Sequence, residues 1–179
     1  MLEADPDAKG NAVHPAASLP LRSSRFAPLL ALLLFAPAAH AAEAMAPAFS
    51  VKALDGHTIH LADLKNRPLV VDFWATWCAP CRASMPHLNE VSTRYAKQGL
   101  TVLGMSVDET GPAPVKKFAS QLGVHFTIAM ANDEMLDAYG PIRVIPTTFF
   151  INRKGEIVRR VVGFIDPETM DGYVKEILH

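Results

Sequence analysis

The apolar positions of this chain follow two patterns, one typical of buried strands and one typical of amphipathic helices. Short runs rich in β-branched and aromatic residues predict strands within residues 67–76, 99–109, 125–131, 146–152 and 155–164. Helical spacing, together with start and stop residues, predicts helices over residues 79–97, 112–123, 132–140 and 166–179. In the first of these helices one face is shared by Cys81, Met85, Leu88, Val91 and Tyr95.

The order of these elements predicts the fold class. Residues 49–64 favour a β-hairpin with Asp55-Gly56 at its turn, followed by a short helical turn. Strands then alternate with helices until a terminal hairpin, which turns at residues 152–155, and a final helix. We therefore expect an α/β domain with a mixed central sheet flanked by helices.

Residues 1–41 differ from the rest and are typical of an export leader. Arg22 and Arg25 precede an apolar run over residues 26–39, which closes with the small-x-small pattern of a signal-peptidase site at residues 39–41. The run is shorter than the roughly 20 apolar residues of a membrane-spanning helix. A cleaved signal is favoured, and an uncleaved anchor or a buried core helix remains an alternative. We expect a linker at residues 42–46 and a mature domain over residues 47–179.

Composition and charge narrow the classes of function. The 179 residues are 50% hydrophobic and 20% charged, which suits one globular domain with a core in addition to the leader. A formal net charge of −1 supplies no strong field for nucleic acid or for an anionic membrane surface. We therefore expect no nucleic-acid partner. We expect a monomer, although the sequence leaves the oligomeric state open and shows only that no surplus cysteine exists for an intermolecular bridge.

The candidate chemistry lies in "VDFWATWCAPCR", residues 71–82, which contains the two cysteines of the chain, Cys78 and Cys81. Three interpretations are open: a structural disulfide, a metal site and a reactive dithiol. A disulfide across two intervening residues constrains little chain entropy and stabilises a fold poorly. A structural zinc site needs four ligands, whereas the histidines of this chain are scattered.

The reactive interpretation has a physical cause in the predicted junction between strand and helix. Cys78 falls at the start of the helix, where unpaired backbone N–H groups and a partial positive charge stabilise a thiolate. Cys81 lies one turn further on and points inward. Pro80 lies in the first helical turn, where its missing N–H costs little. This asymmetry suits disulfide exchange, in which one thiol attacks and the other resolves the mixed disulfide.

Three features of the sequence together resemble the thioredoxin superfamily: "VDFWATWCAPCR", the proline five residues after Cys81, and "VIPTTFFINRKGEIV". The resemblance covers residues 47–179 and implies a thioredoxin fold with an N-terminal β-hairpin. The stretch from about Pro112 to Tyr139 is longer than in thioredoxin and has room for an additional strand and helix. With the leader, this insertion is similar to the TlpA/ResA-like branch of periplasmic thiol:disulfide oxidoreductases.

The resemblance implies roles for individual residues. Cys78 is expected to be the nucleophile and Cys81 the resolving thiol. The expected substrate-binding residues are Trp77, Pro80, Ile145 and Pro146. The Ile145–Pro146 bond is expected to be cis and to face the dithiol, where the preceding backbone would bind a partner's extended chain by strand addition. An ordinary trans proline that opens a strand is the alternative.

Asp72 is a lone carboxylate within a run of apolar residues. Burial would raise its pKa, so that it could take up a proton near neutral pH. In thioredoxin the matching aspartate relays the proton of the resolving cysteine, and we expect the same of Asp72 toward Cys81. The alternative is a structural acid paired with Lys65 or another base. Many ResA-like proteins carry a glutamate three residues after the second cysteine, where this chain has Ser84, so the acid-base role would rest on Asp72 or on water.

These features predict a periplasmic reductase of protein disulfides, with apocytochrome c among its candidate substrates and a membrane protein as its electron donor. A thiol oxidant or isomerase on the same fold is the main alternative. A thiol peroxidase would resemble T-x-x-C around its cysteine, but Ala75 stands three residues before Cys78. A binding module with inert cysteines is the remaining class. We expect no organic cofactor and no metal.

Overall fold

The computed structural model describes residues 44–179. A small antiparallel sheet pairs β1 with β2, and a larger sheet contains five strands in the order β5-β4-β3-β6-β7. The strands are β1 (Ser50–Lys52), β2 (Thr58–His60), β3 (Leu69–Trp74), β4 (Thr101–Ser106), β5 (Thr127–Met130), β6 (Thr147–Ile151) and β7 (Ile157–Val162). The helices are α1 (Ala79–Arg94), α2 (Pro112–Gln121), α3 (Asp133–Ala138) and α4 (Pro167–Ile177).

The five-stranded sheet is mixed. Strands β3, β4 and β5 run parallel, β6 is antiparallel to β3, and β7 is antiparallel to β6. The predicted insertion appears between β4 and β6 as α2, β5 and α3. The expected α/β class, the mixed sheet, the N-terminal hairpin and the inserted elements are therefore confirmed.

The central strand β3 separates two apolar layers. All six of its residues are buried, because helices cover one face of the sheet and the N-terminal hairpin with α3 covers the other. Val70 and Trp74 pack with the inward faces of α1, α2 and α4. Val71 and Phe73 pack with the hairpin and α3. Since side chains alternate along a strand, Asp72 points to the same layer as Val70 and Trp74.

The end of the first helix differs from the sequence prediction. The helix expected to reach Lys97 ends at Arg94, and a 3₁₀ turn over Ala96–Gln98 follows it. Gly99 then adopts a left-handed φ of 86°, which a glycine tolerates without steric cost and which ends the helical segment. The tighter turn lets Leu100 N–H bond the carbonyl of Tyr95 before β4 begins.

The leader predicted over residues 1–41 lies outside the described residues, as do residues 42 and 43 of the linker. From Ala44 onward the chain is held to the start of β7. Ile157 donates a backbone hydrogen bond to the carbonyl of Ala44 at 2.8 Å, and Ala46 donates one to that of Gly155 at 2.8 Å. Within residues 44–179, every helix is too short or too polar to cross a bilayer.

Candidate active site around the Cys78–Cys81 disulfide

The two cysteines form a disulfide at the junction between β3 and α1. Cys78 is the N-cap residue of the helix, with an extended backbone, and its Sγ accepts a hydrogen bond from Cys81 N–H at 3.2 Å. Cys78 is 5% exposed, whereas Cys81 is fully buried among the apolar residues beneath α1. The site therefore presents one sulfur near the surface and keeps the other behind it, as the sequence predicts.

Local sequence explains why the helix begins at this point. The last residue of β3, Trp74, is buried, and the next residues form a turn closed by a hydrogen bond from Cys78 N–H to the carbonyl of Ala75 at 3.2 Å. Pro80 occupies the first helical turn, where no N–H is needed. The N–H of Cys81 and the positive end of the helix dipole both act on the Cys78 sulfur, and after reduction both would stabilise a thiolate there.

The predicted proline pair lies against the disulfide. The Ile145–Pro146 peptide bond is cis, so the trans alternative does not hold. The carbonyl oxygen of Ile145 is 3.7 Å from the Sγ of Cys78. In the disulfide neither atom carries a proton, and the approach is a van der Waals contact. After reduction, a Cys78 thiol could donate a weak hydrogen bond to this oxygen.

The other expected substrate-binding residues, Trp77 and Pro80, lie on the solvent side of the site. Trp77 is 70% exposed although it directly precedes the buried Cys78, and Pro80 is also exposed. An exposed indole offers a large apolar surface with one hydrogen-bond donor, which suits contact with another molecule. The disulfide is thus bordered by an exposed aromatic ring on one side and by the cis-proline segment on another.

Asp72 is buried beneath the site, on the face of β3 that packs toward α1. It is 1% exposed; Thr148 Oγ1–H donates to its Oδ1 at 2.7 Å, and its Oδ2 has no hydrogen-bond partner among the described residues. Burial raises the pKa of the carboxyl to about 7, and the bond from Thr148 opposes this effect. Residues 44–179 form no ion pair with Asp72, and Lys65 is exposed, so the paired-acid alternative finds no support.

A second buried carboxylate, Asp108, was not singled out in the sequence. Its two oxygens accept hydrogen bonds from Thr76 N–H at 2.9 Å, from Thr76 Oγ1–H at 2.6 Å and from Ser106 Oγ–H at 2.8 Å. Thr76 stands two residues before Cys78. The signal was the acid in "SVDE" at the carboxyl end of β4, because the ends of adjacent parallel strands meet at one edge of a sheet.

Three further residues considered in the sequence, Ser84, His87 and Arg82, lie on α1 and have contacts that suggest no catalytic role. Ser84, where many ResA-like proteins carry a glutamate, is 3% exposed and its hydroxyl donates to the carbonyl of Pro80 at 3.2 Å. His87 lies edge-on to the ring of Phe164, with centroids 5.9 Å apart. Arg82 is exposed, as expected of a solvated helix face. The acid-base role in the site, as far as residues 44–179 describe it, therefore rests on Asp72, whose pKa burial raises.

Comparison with known proteins places this geometry in a family. The AhpC/TSA family matches residues 42–160, a range that includes the disulfide and the cis-proline segment. This chain belongs to the AhpC/TSA family of the thioredoxin superfamily. Among similar proteins is the thiol-disulfide oxidoreductase ResA of Bacillus anthracis, 37% identical over 133 residues that cover 74% of this chain and 76% of that protein. The ResA of Geobacillus kaustophilus is 35% identical over 74% of this chain and 75% of its own length.

Solved structures of thiol:disulfide interchange proteins have the same fold as this chain. A thiol:disulfide interchange protein of the thioredoxin family from Chlorobium tepidum superposes with a TM-score of 0.73 and 34% identity, covering 79% of this chain and all of that one. A second protein from the same organism, described as a putative thiol:disulfide interchange protein DsbE, gives a TM-score of 0.71 and 30% identity over 76% of this chain and 97% of its own. The chain is a ResA-like thiol-disulfide oxidoreductase, and the Cys78–Cys81 pair fits the redox CxxC motif of this class.

The burial of Asp72 predicts a specific dependence of stability on pH. In the unfolded chain the carboxyl ionises near pH 4, but in the folded protein it holds its proton up to about pH 7. The folded state binds more protons between these values, so the free energy of unfolding should fall as pH rises from about 4 to about 7, by roughly 1 kcal/mol per pH unit, and then level off.

Asp72→Asn should remove this term, because the amide oxygen can still accept from Thr148 and carries no charge. Urea unfolding of both proteins from pH 4 to 9 measures the difference, in which all other titrating groups cancel. The stability gained by the variant should grow up to about pH 7 and stay constant above it. A difference that is independent of pH would show that the carboxyl of Asp72 does not titrate in this range.

Proposed function

We propose that the protein reduces disulfide bonds of other proteins outside the cytoplasm. The main support for this proposal is the arrangement of the two sulfurs. Cys78 lies at a helix N-terminus and beside the carbonyl of Ile145, the residue before the cis-proline, and the second sulfur is buried one turn behind it. This arrangement favours a thiolate on Cys78 and a protonated thiol on Cys81 in the reduced protein. Such a division of labour suits exchange with a large substrate.

The proposed reaction moves two electrons to the substrate in two steps. The thiolate of Cys78 attacks one sulfur of the substrate disulfide, which forms a mixed disulfide and releases the other substrate sulfur as a thiolate. Cys81 then loses its proton and attacks the Cys78 sulfur, which forms the Cys78–Cys81 disulfide and releases the second substrate thiolate. The substrate takes up two protons. A donor dithiol, expected to be a membrane protein, would return the pair to its reduced form.

We propose that Asp72 is the base that takes up the proton of Cys81 in the second step. The second step needs a base near a thiol that bulk water reaches poorly, because Cys81 is fully buried. Asp72 points from β3 toward the layer that contains Cys81, and its Oδ2 is unoccupied by any described hydrogen-bond donor. With a pKa of about 7 the carboxylate can accept a proton near neutral pH and return it to solvent later.

The surface around the disulfide supports a polypeptide substrate. Four large apolar side chains are exposed there: Trp77 at 70%, Val144 at 54%, Val162 at 53% and Phe164 at 48%. Val144 precedes the cis-proline pair, Val162 pairs with Thr147 just after it, and Phe164 lies on His87 of α1. A clustered apolar surface marks a contact site for another molecule. The backbone before Pro146 could in addition pair with an extended segment of the substrate.

The proposed direction and location rest on likeness and on the leader. The relatives carry the name ResA, and we propose the reductive role that this resemblance implies, with apocytochrome c as a candidate substrate. The signal-like residues 1–41 support export to the periplasm, with membrane anchoring through the same segment as the alternative. No organic cofactor or metal is part of the proposed mechanism, because the dithiol itself carries the electrons.

Substitution of each cysteine in turn tests the division of labour. Cys78→Ser should abolish reduction of a protein disulfide, since no attacking thiolate remains. Cys81→Ser should accumulate mixed disulfides, because the first step still occurs and the second cannot. Non-reducing electrophoresis and mass spectrometry of the adducts measure both, with the double variant as the control that should form no adduct. Full activity of Cys78→Ser, or adducts on Cys81 instead of Cys78, would overturn the assignment.

A rate profile against pH tests the role of Asp72. Wild-type exchange should rise through an inflection near pH 7 as the carboxylate forms, and Asp72→Asn should lose that inflection and slow resolution at least tenfold at pH 7.5. Thr148→Val provides a matched comparison, because loss of the hydrogen bond that lowers the pKa of Asp72 should move the inflection to higher pH. The proton relay is refuted if all three proteins share one profile.

A further inference from the structure

A network of hydrogen bonds joins the end of β4 to the turn that carries Cys78. Asp108 is 6% exposed and Ser106 is fully buried. Three donors point at the Asp108 carboxylate, and Asp108 N–H in turn bonds the Ser106 oxygen at 3.2 Å. Hydrogen bonds to a carboxylate are among the stronger ones in proteins and hold their partners in a narrow geometry.

Thr76 is the residue that this network holds, by its backbone and its side chain at once. It lies within the Ala75–Cys78 turn, whose closing hydrogen bond runs from Cys78 N–H to Ala75. Because both the backbone N–H and the hydroxyl of Thr76 donate to Asp108, the orientation of this peptide unit is fixed. The next two residues then have little conformational freedom. Those residues are Trp77, whose indole is turned out into solvent, and Cys78, whose sulfur caps α1.

We propose that Asp108 and Thr76 are positioning residues for the thiol chemistry: they hold the Ala75–Cys78 turn so that the Cys78 sulfur stays aligned with the N–H groups at the start of α1. The relevant contact is the 3.2 Å hydrogen bond from Cys81 N–H to the Cys78 sulfur. If the turn relaxes, this alignment weakens and the thiolate loses part of its stabilisation. The inference rests on the proposed role of Cys78 as the attacking thiol.

The choice of variant separates position from charge. Replacement of Asp108 would remove a negative charge near the site, and this alone would favour a thiolate and oppose the expected effect. Thr76→Val removes only the hydroxyl that bonds Asp108, retains the side-chain shape and leaves the charge unchanged. Thr76→Ser keeps the hydroxyl and should restore the behaviour of the wild type. Thr110→Val makes the same chemical change at an exposed residue outside the network and serves as the control.

The experiment measures alkylation of the reduced proteins by iodoacetamide across pH 4 to 10, with mass spectrometry to identify the labelled cysteine. In Thr76→Val the midpoint of the Cys78 profile should rise by about one pH unit, and the rate below that midpoint should fall about tenfold, because only the thiolate reacts. Thr76→Ser and Thr110→Val should match the wild type. Thermal unfolding checks that all four proteins are folded.

The outcomes distinguish this inference from the function on which it rests. If Cys78 is labelled first and Thr76→Val leaves its profile unchanged, the positioning role is wrong and the proposed function stands. If Cys81 is labelled first in the wild type, the proposed role of Cys78 fails. If Thr76→Val lowers thermal stability but not the midpoint, the network is structural only and the inference is overturned.

Discussion

The site depends on one constraint of the backbone: a fully buried central strand must leave the core and begin a helix within four residues. Strand β3 ends at Trp74 and α1 begins at Ala79, so Cys78 is both the exit from the turn and the cap of the helix. The residue that caps the helix N-terminus is therefore also the one whose sulfur accepts the N–H of Cys81 and lies at the positive end of the helix dipole. The buried partner thiol follows from helical periodicity, because three residues further on the chain faces the core.

Burial of β3 on both faces also explains the acid beneath the site. The carboxyl of Asp72 is buried in that strand, no cation within residues 44–179 pairs with it, and it accepts one hydrogen bond from the hydroxyl of Thr148 on β6. The fold thus carries a group that is destabilising when ionised, and proximity to the layer of Cys81 provides a chemical reason to keep it there. The burial of Asp72 and the placement of Cys78 at a helix N-terminus both follow from the way β3 packs in the core and leads into α1.

The sequence was informative wherever a feature is local. The strands, the helices, the inserted elements, the paired cysteines and the proline segment follow from periodicity, turn residues and a motif, and the structure contains them. Asp72 contacts Thr148, which lies 76 positions further along the sequence, and Asp108 contacts Thr76, which lies 32 positions before it. No periodic pattern encodes such contacts, since they depend on strand register and on which parallel strands become neighbours. The end of α1 was misplaced because Tyr95 continues the apolar stripe, although the chain had already tightened into a 3₁₀ turn before Gly99.

We propose that the Cys78–Cys81 pair serves as a reductant of protein disulfides. The reduction potential of this pair, measured by equilibration of the protein against glutathione or dithiothreitol with the two redox forms separated by mass, tests this role. We expect a value close to that of thioredoxin, about −270 mV, which requires a reducing donor. A value close to that of a strong thiol oxidant, about −120 mV, would contradict it and assign the protein to disulfide formation.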